Sequence, residues 1–186
     1  MDVAWDRLLP EQLAWHWSAQ ARPRLDGLTD EEMRWEPVAG CWSVRPRADA
    51  ASRHAAGAGD VVVDFEWPPP EPPPVTTIAW RLAHLTMTFG RRAATHFGGP
   101  ATDINTVEWP LEAAAMLTHV DEAHDRWASG VARLGPAGMA RPCGPVEGPF
   151  ADDPMAALVL HINREAIHHL AEIALLRDLY RSREGT

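Results

Sequence analysis

Apolar positions recur at helical spacing over four long stretches of the 186-residue chain. The last is the clearest. In DPMAALVLHINREAIHHLAEIALLRDLY (Asp153–Tyr180), Leu158, Ile162, Ala166, Ile173, Leu176 and Tyr180 fall on one stripe at 100° per residue, as a core-facing helix requires. Asp153 is a suitable N-cap, Pro154 is tolerated at a first helical position, and no glycine interrupts the run before Gly185. These features predict one helix of about seven turns.

The other three stretches are read the same way. From about Ala4 to Leu25, Leu9, Leu13, His16, Trp17 and Gln20 lie near one face, and Pro10 sets the expected start at or just before itself. Thr29 with Glu32 three residues on forms a capping box for a short turn through Trp35. Thr76 or Thr77 caps the second long helix, which runs to about Phe97 and is stopped by Gly98-Gly99-Pro100. Its main stripe is Ile78, Leu82, Leu85 and Phe89; a second carries Trp80, His84, Met87 and Arg91, so both sides face neighbours and His84 with them. Pro110 opens the third long helix, to about Leu134, with Leu117, Val120, His124, Trp127, Val131 and Leu134 at spacings of 3, 4, 3, 4 and 3. The segment GPAGMARPCGPVEGPF reads as the loop into the last helix.

Between Val38 and Val75 the periodicity stops. Gly, Ala and Pro dominate, ending in WPPPEPPPV, whose prolines forbid a helix, while VVVDFEW suits a short strand or an edge hairpin. The expected fold is therefore all-α. It is a single domain over residues 1–186, an antiparallel four-helix bundle with a Pro-rich elaborated loop, residues 48–75, between the first and second long helices.

Charge and composition narrow the function. A net charge of −9 argues against nucleic acid and an anionic membrane surface as partners, since both need a basic footprint. Every basic residue is Arg, which removes lysine Schiff-base chemistry. Cys41 and Cys143 stand far apart and form neither a disulfide framework nor a zinc knuckle. With no long apolar run and no signal-like N-terminus, the expectation is a soluble cytoplasmic protein. The nine tryptophans are assigned chiefly to packing, with a minority lining a pocket.

The candidate chemistry sits on the last helix. Glu165 and His169, spaced i, i+4, lie within its apolar stripe, and His161, His168 and Glu172 flank that stripe on one edge. Three histidines and two glutamates within twelve residues point to metal or catalytic chemistry; a satisfied hydrogen-bonded network is the competing account. The order of residues differs from the H-E-x-x-H zinc motif, so a protease is not indicated. His16 and His124 take no assigned role, and His124 suits either a supporting position near the centre or an ordinary buried imidazole.

The segments TIAWRLAHL and NREAIHHLAEIALLRDLY, with RLDGLTDEEMRWEP and CWSVR near the start, resemble the DinB-like superfamily of four-helix-bundle metalloproteins, in an actinobacterial-type branch. The resemblance covers nearly the whole chain and implies a divalent metal, Zn or Ni, held by one residue of the second long helix and two of the last. On this chain these are His84, Glu165 and His169. Glu165 stands where the family pattern has a histidine, which makes a harder site and opens Mn or Fe as alternatives. The activity implied is thiol S-transfer with a low-molecular-weight thiol such as mycothiol, the metal activating thiol or water, and His168 and Glu172 serving as supporting groups or general base. Two alternatives remain: a non-enzymatic module with a degenerate site, and a metal-assisted hydrolase. Relatives imply a homodimer acting on a small-molecule substrate.

Overall fold

The structure, a computed structural model, describes residues 3–183. It is mostly helical, with one small two-stranded sheet. The first helix, α1 (Trp5–Trp15), passes into a wider π-helical turn (His16–Ala21) and closes with α2 (Arg22–Arg24). Pro10 does not mark the start, as expected, but lies inside α1. Leu9, Leu13 and Trp17 are buried, so packing of this face outweighs the backbone bond that proline removes.

Next comes α3 (Asp30–Arg34), capped by the Thr29 hydroxyl, which accepts from the Glu32 N–H at 3.1 Å. The reciprocal half of the capping box is not made. The Glu32 carboxylate is buried and instead receives a two-pronged bond from Arg177, Nε at 2.8 Å and Nη2 at 3.0 Å. Arg177 also donates to the carbonyls of Arg24 and Asp26. One residue near the end of the last helix thus ties down the turn between α2 and α3, and removing either partner would strand a buried charge at a cost of about 3–5 kcal/mol.

Within the segment expected as an elaborated loop, VVVDFEW supplies the short strand it suited, and the segment folds back on itself. Strands β1 (Val44–Pro46) and β2 (Val61–Val63) pair antiparallel, Val44 opposite Val63. Asp64, fully buried, organises it: one carboxylate oxygen accepts from the N–H of Ser43 and from Arg45 Nε, the other from the N–H groups of Ala51 and Ser52. A charge taken out of water is stable there because each oxygen is bonded more than once.

Helix α4 (Ile78–Phe97) is capped by Thr77. Helix α5 (Ala113–Ala132) starts three residues later than Pro110. Its first N–H is bonded to Asp30 Oδ1 at 2.7 Å, so a carboxylate from α3 sets the start. The expected loop before the last helix contains a short helix, α6 (Gly135–Ala140), and a 3₁₀ segment (Pro145–Phe150). Helix α7 (Met155–Arg183) begins just after Pro154, and Leu158, Ile162, Ala166, Ile173, Leu176 and Tyr180 are all buried, as the stripe required. Helix α4 packs on α5 and α7, and α1 on α7 and α5. Among the described residues no helix is long and apolar enough to cross a membrane.

Candidate metal centre

Helices α4 and α7 pack along faces that bring His84 opposite Glu165 and His169. Each of the three offers one donor atom, and these atoms lie within 4.8 Å of one another. His84 Nε2 and His169 Nε2 stand 3.7 Å and 3.6 Å from the same carboxylate oxygen, Glu165 Oε2. Ligands about 2.0–2.1 Å from a tetrahedral zinc are separated by about 3.4 Å, so the observed spacing is close to what an ion needs. The set of two imidazoles and one carboxylate suits a divalent ion that keeps an open position.

Neighbours fix each donor. The His84 ring is stacked on Trp80, centroids 5.3 Å apart and planes within 6°. Trp80 is itself held by an Nε1–H bond of 2.7 Å to the Asp64 carbonyl, which connects the folded-back segment to the site. His169 Nδ1–H donates to Glu172 Oε2 at 2.9 Å, which leaves the Nε2 lone pair toward Glu165. Arg81 is paired with the same Glu172 oxygen.

Electrostatics prepare the imidazoles as ligands. Burial pushes the His84 pKa below its ordinary value, with the Glu165 charge acting against the shift. His169 is pushed down to about 3, first by burial and then by His84, Arg81 and His168. Both rings are therefore neutral at neutral pH and can offer a lone pair. His84 Nε2 is buried without a hydrogen-bond partner among the described residues. A polar network lacking an ion would leave that atom unsatisfied, so the residues present fit a bound cation.

The other predicted residues lie around this centre. His168, Glu172 and His169 form a second group of possible donors, but the Glu172 carboxylate is already engaged by Arg81 and His168 is 62% exposed, 3.5 Å from Glu172 Oε1. His161 stands 3.8 Å from Glu165 and lines the adjoining cavity. His124 is not brought to the centre. It packs in the core, stacked on Trp17. His16, at the start of the π-helical turn, bonds through Nδ1 to Gln20.

The cavity, about 480 Å³, opens beside His84 and Glu165. Its walls come from α4, α7 and the folded-back segment: the expected loop, residues 48–75, contributes Phe65 and Trp67, and Trp42 precedes it. Trp80 and Trp109 line it too, and four of the nine tryptophans thus face a cavity rather than packing alone. A side chain at Gly57 would stand 2.7 Å from the Val61 carbonyl and 2.9 Å from Trp109, so the closure of this wall requires glycine there. Arg81 was legible in principle, three residues before His84 on the same helix; the aromatic wall was not, because its members come from distant parts of the chain.

Compared with known proteins, the chain matches the family model described as DinB superfamily over residues 12–173. No curated protein and no solved structure matches it.

Proposed function

The chain belongs to the DinB superfamily, and from that premise we propose that it is a divalent-metal-dependent enzyme of the thiol S-transferase kind, with His84, Glu165 and His169 as the ligands. The observation that carries the reading is the convergence of three donor atoms within 4.8 Å at the edge of an open cavity, one of them a buried nitrogen with no other partner. In this reading α1, α4, α5 and α7 are the four helices of the superfamily bundle, and the ligands project from two of them.

When bound, a divalent ion supplies Lewis acidity that lowers the pKa of a thiol or a water in its open position. The protein's own groups do the rest. Glu172 holds the His169 tautomer, Arg81 holds Glu172, and the Trp80 stack holds the His84 ring, so the donors are preorganised. The aromatic residues of the cavity give the reacting group an apolar wall. For proton transfer the arrangement favours His161, which lines the cavity beside Glu165, while Glu172 and His168 connect His169 to solvent. Zn or Ni suits the two imidazoles, and Glu165 admits Mn or Fe.

Cobalt substitution tests this. Cobalt-loaded protein exposed to a small thiol should develop a sulfur-to-cobalt charge-transfer band that His169→Ala lacks. A cobalt spectrum unaltered by thiols at millimolar concentration would remove thiol transfer and favour the hydrolase reading, in which water alone is activated.

A further inference from the structure

The cavity carries a cation that the metal-centre reading leaves unused. His84, Met87, Thr88 and Arg91 all line it from α4, and Arg91 is seven residues beyond His84 on the same face, about 10 Å along the helix axis. The other arginines nearby are spoken for: Arg81 by Glu172, and Arg92 by Glu147 at 3.0 Å. Arg91 is exposed and makes no ion pair among the described residues.

The acidic groups of the cavity do not compete for it. Asp64 is fully buried and bonded to Arg45, Glu66 lies 3.9 Å from Arg53, and Glu165 stands between the two imidazoles at the opposite end. The wall facing α4 is apolar and incompletely covered. Trp67 is 79% exposed and Phe65 37% exposed, although both line the cavity. Apolar surface at a cavity mouth is covered, and removed from water, when a ligand with an apolar body enters.

We propose that the cavity takes an elongated amphipathic anion, an aryl- or alkyl-carboxylate, with its charge at Arg91, its apolar body along Trp67 and Phe65, and its far end directed at His84 and Glu165. The separation of about 10 Å between the two ends sets its length. The identity of the reacting end rests on the metal-centre reading. The selectivity for charge does not, and it can be measured without metal.

The test uses the full chain stripped of metal by chelator, titrated calorimetrically and by tryptophan fluorescence with 6-phenylhexanoate and its neutral counterpart 6-phenylhexanol. The acid should bind about tenfold more tightly than the alcohol, through a charge-assisted bond to arginine. Arg91→Met should remove that preference while leaving alcohol binding unchanged, Arg91→Lys should keep most of it, and Trp67→Ala should weaken acid and alcohol by the same factor. Equal affinities in the unaltered protein, no binding of either probe, or a preference that survives Arg91→Met would overturn the proposal. A protein that takes up no metal yet prefers the acid would leave this inference standing and remove only the reading of the reactive end.

Discussion

His84 and His124 are alike in almost every local respect and differ in what faces them. Each imidazole is stacked on a tryptophan with planes within 6°, His84 on Trp80 at 5.3 Å and His124 on Trp17 at 3.9 Å. Burial lowers the pKa of each, and in each the Nε2 atom is buried without a hydrogen-bond partner. His124 meets the edge of Phe89 at 5.5 Å, and its ring nitrogen Nδ1 is bonded to Asp125 at 3.0 Å. His84 meets Glu165 and His169. Burial and neutrality prepare an imidazole to be a ligand; a site needs further donors converging on the same point.

The strongest way to break this comparison is to remove each ring in turn. His84→Ala should weaken zinc binding by well over 100-fold, beyond the roughly 10–100-fold that changes outside the ligand set cost. His124→Ala should leave zinc affinity within about twofold while lowering the melting temperature, because it opens a cavity between Trp17 and Phe89. Competition with a chromophoric chelator measures the first and calorimetry the second. Equal losses of metal in the two variants would erase the distinction.

The carboxylates beside the rings sharpen it. Glu172→Ala should cost roughly 10–100-fold in metal affinity by freeing the His169 tautomer, and Asp125→Ala should cost none. Unchanged affinity in Glu172→Ala would mean that the packed helices orient His169 unaided.

The smallest effect is in stability against pH, measured on metal-free protein. Folded His124 is held neutral by burial, while the unfolded chain takes up its proton at the ordinary value near 6.5. Its contribution is therefore fully present above about pH 6.5 and declines as pH falls below it, by at most about 1.4 kcal/mol per pH unit. His124→Phe keeps an aromatic stack and should flatten the urea midpoint against pH below 6.5. Parallel curves for the two proteins would show that His124 remains protonated in the fold.

The contrast between the two histidines also marks what could be read in advance. The long runs of α4 and α7 were legible because their signals are local: Thr77 at a cap, glycines at a stop, and an uninterrupted apolar stripe. The pairing of Glu165 with His169 was legible because i, i+4 spacing fixes it, and His84 only through resemblance. Nothing local separates His84 from His124, since both occupy apolar stripes and the distinguishing residues lie on another helix. The same holds for Glu32, whose spacing from Thr29 pointed to a capping box and whose carboxylate went to Arg177, far along the chain. It holds for Asp64 and the tryptophan wall as well, where the backbone groups and rings that meet are separated by loops without periodicity.

The central claim is that His84, Glu165 and His169 form one metal centre, and elemental analysis of protein purified without chelators or affinity tags tests it most directly. The account predicts about one divalent ion per chain in the unaltered protein and in His124→Ala, and none in His84→Ala or His169→Ala. Metal-free protein that stays folded and takes up no added Zn, Ni, Mn or Fe would contradict it, and would make the three residues a half-buried polar cluster of a non-enzymatic module.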